Sequence, residues 1–248
     1  MFRFLIIALF LVIFLLIAIP TFIIVWLIGK VNRHRRDIIS LRFAQMAFHC
    51  FIWLAGVELT VLGEENIPDE AALFVGNHRS IFDIILTYTR VKGLTGFVAK
   101  KELGNIPVFS NVMGYLYCLF LDRDNIKEGL KTILQAIEYI KQGVSIFIFP
   151  EGARNKGEET TLLPFKDGAF KIATKSNCPI VPVALNNTVA IFEKQFPRVK
   201  RTKVIIEYGT PIYPDQLAPE HKRKIGNYVA GIIEQTLQKN ALLIGETK

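Results

Sequence analysis

Cysteine and histidine are scarce in this chain, and their scarcity excludes several classes of protein. Only three cysteines occur among 248 residues, namely Cys50, Cys118 and Cys178. Their odd number and the lack of any CxxC pair argue against a disulfide framework or a zinc knuckle, and we interpret each as a small residue of an apolar core. The four histidines, at 34, 49, 78 and 221, are too dispersed to predict a metal site.

Several motifs of well-known enzyme classes are also missing. Neither GxGxxG nor HExxH occurs, which removes the signatures of dinucleotide-binding folds and of zinc proteases. The nearest approach to a GxSxG nucleophile elbow, at 143–147, ends in Phe147 instead of glycine. The stretch GARNKGE (152–158) superficially resembles a phosphate loop, but Glu158 stands where that loop needs Lys-Ser/Thr.

Apolar sequence is what the chain has in excess, and the excess is concentrated at the N-terminus. Hydrophobic residues make up 51% of the chain, above the usual share for a soluble domain. The stretch from Phe4 to Ile28 carries no charge over 25 residues, which is enough helix to cross a hydrocarbon core of about 30 Å. It is too long for a signal peptide and lacks a small-residue cleavage site. Because Pro20 is expected to bend this helix, a tilted, kinked or partly re-entrant insertion stays open beside a full span.

Basic residues follow this apolar segment directly, in the stretch KVNRHRRD (30–37). Positive charge beside a span marks the cytoplasmic side, so we expect the rest of the chain on the cytoplasmic face of a membrane, here a bacterial inner membrane. The net charge of +8 suits an anionic membrane surface. Basic clusters beside a membrane anchor favour lipid over nucleic acid, and no nucleic-acid partner is expected.

The composition changes at Gly56. Residues 1–56 are predicted to form membrane-anchoring helices, the second of them over 38–56. Residues 57–248 are predicted to form a separate folded domain. Short apolar runs then alternate with amphipathic helical stretches, which predicts an α/β fold with a largely parallel sheet covered on both faces. The predicted strands are 57–62, 72–77, 95–100, 115–121, 144–150, 179–185 and 203–209. The predicted helices of the domain are 125–142, capped by Asp124 or Asn125, and 219–238.

A polar heptapeptide, NHRSIFD (77–83), interrupts the apolar sequence after one of these strands. Residues five apart in a regular helix are about 140° apart around its axis, so His78 and Asp83 can meet only if the helix starts between them. Ser80 is the natural N-cap for such a helix. An Asp that accepts a hydrogen bond from one imidazole nitrogen leaves the other nitrogen as a base. An ordinary acidic residue at a helix N-terminus is an equally natural interpretation of Asp83.

Charged residues follow three other strands. FPEGARN (149–155) ends the most apolar strand, and Arg154 there could bind a phosphate while Glu151 holds a hydroxyl or orients the arginine. Lys100 and Arg123 follow two further strands. Ligands of α/β sheets bind outside the carboxyl ends of strands, so these cations predict an anion site. Ion pairs with Glu102, Asp122 or Asp124 are the alternative.

Taken in order, NHRSIFD, KKEL…FLDR, FPEGAR and PIVPVAL resemble the four motif blocks of the 1-acylglycerol-3-phosphate acyltransferase family over about residues 57–210. The resemblance implies a glycerol-phosphate acyltransferase-like α/β fold. It implies that His78 is the general base and Asp83 its orienting partner. It assigns Lys100, Arg123, Glu151, Gly152 and Arg154 to the acceptor and its phosphate, and Pro182 to the acyl-donor side. The third block usually carries Thr or Ser where this chain has Ala153.

The activity implied by the resemblance is transfer of a fatty acyl chain from acyl-CoA or acyl carrier protein to the sn-2 hydroxyl of lysophosphatidic acid, which gives phosphatidic acid. A thioester is already activated, so neither a metal nor another cofactor is expected. Ala153 favours an alternative in which the acceptor is another lysolipid. A third hypothesis, a non-catalytic peripheral protein that binds anionic lipid, explains the anchor and the charge but assigns no role to NHRSIFD or FPEGAR.

Overall fold

The computed structural model describes residues 2–106, 108–122 and 125–246. Within them, seven strands form one sheet: β1 (Val57–Leu62), β2 (Leu73–Gly76), β3 (Thr95–Lys100), β4 (Leu119–Leu121), β5 (Ser145–Ile148), β6 (Ile180–Asn186) and β7 (Thr202–Tyr208). The helices of the described chain are α1 (Phe2–Val31), α2 (Arg33–Ala55), α3 (Phe82–Tyr88), α4 (Phe109–Tyr115), α5 (Ile126–Lys141), α6 (Lys171–Ser176), α7 (Pro219–Arg223) and α8 (Ile225–Glu246).

The strand order is β1-β7-β6-β2-β5-β3-β4. Strands β6, β2, β5, β3 and β4 are parallel to one another, while β7 is antiparallel to β6 and parallel to β1. The predicted α/β fold with a largely parallel mixed sheet is therefore confirmed. The five parallel strands end along one side of the sheet, which we call the carboxyl edge, and the segments that follow them meet there.

Continuous apolar runs bury the central strands on both faces, as parallel sheets require. On one face, Phe147 stacks between Phe74 and Phe97, with ring centroids 5.9 and 4.9 Å away, beneath α1, α2 and α3. On the other face, the alternate residues of the same strands pack under α5, α6 and α8. Each strand thus contributes its side chains in turn to two apolar layers.

Three predicted elements differ from the structure. The predicted strand 115–121 is reduced to β4, because residues Phe109–Tyr115 form α4. The predicted helix 219–238 is divided at Lys224 into α7 and α8. The predicted helix 125–142 forms α5, but its apolar residues Ile126 and Leu130 are 91% and 54% exposed, since the short edge strand β4 covers little of that helix.

The two N-terminal helices form an antiparallel hairpin that lies against the sheet domain. Near one end of α1, Phe4 stacks on Phe192, and eighteen residues later Phe22 stacks on Tyr115. In α2, the Gln45 amide donates to the carbonyl oxygens of Tyr88 and Val91. Both helices are long and apolar enough to cross a membrane, yet α1 contacts the domain near its start and again two thirds of the way along. The domain boundary at Gly56, where an αL cap ends α2, stays a prediction, because the hairpin shares an apolar core with the sheet.

Candidate active site

His78 and Asp83 meet at the carboxyl edge, directly after β2. The Nδ1 atom of His78 lies 2.9 Å from Oδ2 of Asp83, whose side chain is fully buried. The imidazole stacks on Phe149, 4.3 Å between ring centroids, and its side chain is 14% exposed. A neutral imidazole that donates Nδ1–H to Asp83 presents Nε2 as an acceptor, the arrangement of a general base with an orienting carboxylate.

Asp83 lies in the first turn of α3, and His78 lies on the preceding turn. Besides His78, Asp83 Oδ2 accepts hydrogen bonds from the backbone N–H groups of Arg79 and Ser80. The two interpretations of Asp83 left open by the sequence therefore coexist in one side chain, as a cap of the turn and as the partner of His78. The helix itself begins at Phe82, two residues after Ser80, whose Oγ accepts from Phe82 N.

Glu151 is buried at the end of β5 and binds backbone groups with both oxygens. Oε1 accepts from His78 N at 2.7 Å, and Oε2 accepts from Leu163 N at 2.9 Å. Burial raises the pKa of the Glu151 carboxyl, and the two N–H donors oppose that shift. The carboxylate therefore positions His78, while its predicted contact with the acceptor stays a prediction.

Arg154 and Glu193 extend the site toward the start of α3. The Nη1 atom of Arg154 lies 3.6 Å from Oε1 of Glu193, and the arginine side chain is half exposed. The same Glu193 accepts from Ser80 Oγ and Ile81 N, each at 2.8 Å. Glu193 thus bridges Arg154 and the turn that carries His78.

Two more predicted cations come from neighbouring strands. Lys100 ends β3 and pairs with Glu102 at 2.9 Å, with both side chains about 60% exposed. That ion pair is the alternative that the sequence left open. An exposed pair of this kind contributes little stability, so another anion can replace Glu102 at little cost. Arg123 lies outside the described residues, after the end of β4.

Gly152 and Pro182 occupy positions that suit their backbones. Gly152 has φ of +73° in the turn after β5, where its N–H donates to Phe149 O. Pro182 is buried inside β6, beside Val75, and its carbonyl accepts from Gly209 N just beyond the end of β7. The ladder requires no donor from Pro182 there, so the proline fits a central strand. Because Pro182 lies within the sheet, its predicted role on the acyl-donor side stays a prediction.

Three residues of the site were missed by the sequence analysis. Asn77, 1% exposed, links β2 to β6 by two hydrogen bonds with the backbone of Leu185. Arg79 donates to the carbonyls of Gly157 and Glu158, so this arginine of NHRSIFD holds the loop after β5. Glu193 is the third, and its hydrogen-bond donors Ser80 and Ile81 lie more than 110 residues away in the chain. No local spacing signals such long-range contacts.

The cysteines carry none of this chemistry. Burial raises the pKa of Cys118 to about 11, and it also raises that of Cys178, as expected for core thiols. Cys50 is exposed on α2, so its interpretation as a core residue was wrong, since it lies on an outer face of the apolar hairpin. Among the described residues, no three His, Cys, Asp or Glu side chains cluster to hold a metal ion.

Comparison with known proteins is consistent with this geometry. Residues 58–186 match the family model named Acyltransferase. A 1-acyl-sn-glycerol-3-phosphate acyltransferase of Saccharomyces cerevisiae is 31% identical over 193 residues, which cover 77% of this chain and 63% of that protein. A protein of the same name from Helicobacter pylori is 35% identical over 184 residues, which cover 73% of this chain and 76% of that protein.

A solved structure is similar over almost the whole length. The 1-acyl-sn-glycerophosphate acyltransferase from Thermotoga maritima aligns with a TM-score of 0.76 and 26% sequence identity, and the alignment covers 97% of each chain. The similarity therefore includes the N-terminal hairpin as well as the sheet domain.

Replacing Asn77 with alanine is expected to lower the free energy of unfolding by about 2–4 kcal/mol, because the buried N–H and C=O of Leu185 lose their partners. Urea denaturation in detergent measures the change. The exposed Asn227 of α8 provides the control, since Asn227→Ala should stay within about 0.5 kcal/mol of the wild type. Equal effects of the two substitutions would show that Asn77 does not hold β2 to β6.

Proposed function

The chain belongs to the 1-acyl-sn-glycerol-3-phosphate acyltransferase family, and from that premise we propose that it transfers a fatty acyl chain from a thioester to the sn-2 hydroxyl of 1-acylglycerol 3-phosphate. The product is phosphatidic acid, an intermediate of phospholipid biosynthesis. The observation that carries the proposal is the His78–Asp83 pair at the carboxyl edge, with Nδ1 and Oδ2 2.9 Å apart.

The reaction needs one base and one activated acyl group. Nε2 of His78 takes the proton of the acceptor hydroxyl while its oxygen attacks the thioester carbonyl carbon. The C–S bond then breaks, and the departing thiolate takes the proton back from the imidazolium. A new ester and a free thiol result, and His78 returns to its starting state. The buried charge of Asp83 stabilises the imidazolium between the two steps.

The acceptor's phosphate is proposed to bind the cations of the carboxyl edge. Arg154 is half exposed and only loosely paired with Glu193, at 3.6 Å, so its fork of donors is available for a bidentate contact with phosphate. Lys100 ends β3, two strands away from β2, a separation of about 10 Å at the usual strand spacing, and a glycerol phosphate held beside His78 can extend toward it. Arg123 follows β4 in the sequence, and its part in the site rests on the family resemblance.

The acyl donor is acyl-CoA or acyl carrier protein, which share the thioester that His78 chemistry requires. The acceptor's identity depends on the third motif block. Ala153 is exposed and offers no hydroxyl where related sequences usually have Thr or Ser, so a panel of lysolipid acceptors belongs in the assay.

The hairpin of α1 and α2 is proposed to attach the enzyme to the membrane. At 1.5 Å per residue, α1 is about 45 Å long, and large apolar side chains are exposed along it, among them Leu9, Leu16 and Ile23. A helix that contacts the domain at both Phe4 and Phe22 cannot cross a bilayer without taking the domain's polar surface with it. We therefore propose that the hairpin lies in one leaflet, with the basic residues of 30–36 at the cytoplasmic headgroups.

His78→Ala is expected to lower kcat about 100- to 10,000-fold, because the hydroxyl loses its base. Mass spectrometry of the lipids formed by purified enzyme from mixed acceptors and mixed acyl donors measures the product and identifies the substrates. His221→Ala, at an exposed position of α7, serves as the control and should retain full turnover. Normal turnover by a folded His78→Ala protein would refute the mechanism.

Asp83→Asn separates the charge of Asp83 from its capping role. Oδ2 takes all three hydrogen bonds, and Oδ1 is buried without a partner among the described residues. Asparagine can therefore keep an acceptor at the Oδ2 position and remove the charge, with its NH2 group in the buried position of Oδ1. We expect kcat to fall about 100-fold or more, with the melting temperature much closer to wild type than in Asp83→Ala. Wild-type kcat in the asparagine variant would leave Asp83 as a cap alone.

The membrane proposal predicts that replacing Leu9, Leu16 and Ile23 together with glutamine weakens binding to phosphatidylcholine–phosphatidylglycerol vesicles, measured by flotation. The matched control replaces three exposed apolar residues of α5, on the opposite face, namely Ile126, Leu130 and Leu134. Binding lost equally in both triple variants would contradict the assignment to the hairpin.

The same vesicles distinguish a hairpin in one leaflet from a crossing helix. Single cysteines at Phe2 and Val31, in a Cys50→Ser background, should both react with an impermeant maleimide added outside. Labelling of only one of the two positions from outside would indicate that α1 crosses the bilayer.

A further inference from the structure

Lys166 is a cation of the carboxyl edge that the sequence analysis did not identify. Its backbone N–H donates to Pro150 O at 3.0 Å, which fixes it beside the turn after β5. Three residues earlier, Leu163 N donates to Glu151 Oε2 at 2.9 Å. Two hydrogen bonds therefore hold the loop 163–166 against the turn that also positions His78.

The side chain of Lys166 lies directly over Gly152. A Cβ atom placed on Gly152 would be 3.0 Å from Cε and 3.9 Å from Nζ of Lys166. Gly152 also has φ of +73°, which favours glycine. The turn therefore needs glycine for its positive φ, and the absence of a side chain leaves the space that Lys166 occupies.

Lys166 differs from the other cations of this edge in its charge balance. Lys100 is paired with Glu102, and Arg154 lies beside Glu193, so each brings a carboxylate that repels an incoming phosphate. The Lys166 side chain is exposed, and no ion pair of Lys166 occurs among the residues that the structure describes. A phosphomonoester carries a charge of about −1.5 to −2 near neutral pH and binds best to positive charge that is not already paired with a carboxylate.

We propose that Lys166 binds the phosphate monoester of the lysolipid acceptor, with Gly152 leaving the space for its side chain. The proposal rests on the proposed acyltransferase function and adds a binding residue to it. The lysine ammonium acts as a point charge and Arg154 as a bidentate donor, so the two contacts complement each other. Glu151 fixes both the Lys166 loop and the backbone of His78, which sets the distance between the bound phosphate and the base.

The test is Lys166→Gln, which keeps most of the side-chain length and removes the charge. The KM for 1-acylglycerol 3-phosphate should rise about tenfold or more, with kcat and the KM for the thioester nearly unchanged. Lys166→Arg should recover part of the loss. Lys175→Gln is the matched control, because this exposed lysine lies in the last turn of α6, which leads to the opposite edge of the sheet.

A second measurement does not depend on turnover. Equilibrium dialysis of 1-hexanoylglycerol 3-phosphate, below its micelle concentration, should show about tenfold weaker binding to Lys166→Gln and unchanged binding to Lys175→Gln. Unchanged binding to both variants, or an increase only in the KM for the thioester, would overturn the assignment while the enzyme's function stands. A wild-type protein that binds this phosphate through Lys166 but transfers no acyl chain would overturn the function and leave the assignment intact.

Discussion

Five consecutive backbone N–H groups, from His78 to Phe82, donate to side chains, and the geometry of the site depends on them. Glu151 accepts from the first, Asp83 from the next two, Glu193 from the fourth and Ser80 Oγ from the last. A buried turn cannot leave its donors unpaired, and this turn satisfies them with three carboxylates from three segments of the chain. The backbone around His78 is therefore held from several directions, and on the proposed function this preorganises the base.

The charge of Glu151 is not retained for stability. Burial raises the pKa of Glu151, so the folded state binds its proton more tightly than the unfolded state does. Above the ordinary pKa of a glutamate, ionisation therefore costs the folded protein free energy. The turn nevertheless needs the charged form. A protonated carboxyl would have one O–H group, which would disfavour acceptance of a hydrogen bond from His78 N or Leu163 N. A buried carboxylate that costs stability and fixes the backbone of His78 is typical of functional sites.

Sequence patterns predicted the features that depend on residues close together in the chain. The alternation of apolar runs predicted the parallel sheet, and helix geometry predicted that His78 and Asp83 lie on either side of a helix start. Contacts between distant segments could not be predicted in this way, since neither Glu193 beside Ser80 nor Lys166 over Gly152 leaves a signal in spacing. The helix α4 and the shortened β4 were missed because an apolar run of this length fits either structure. Hydropathy identified the α1 segment as apolar and long enough to cross a membrane, but its position against the sheet domain follows from contacts with Phe192 and Tyr115.

Pairing of the exposed cations with carboxylates has a consequence for acceptor choice. When a phosphate binds Arg154, it also meets the nearby carboxylate of Glu193, which reduces the net gain from that contact. The same holds at Lys100 and Glu102. Selectivity for a phosphomonoester over a phosphodiester must then come from a cation without such a partner. Only an unpaired cation gains a new ionic contact with the additional negative charge of the monoester. On the proposed function, the turn that holds Gly152 supplies that cation beside the base, and recognition of the phosphate and positioning of His78 both depend on Glu151.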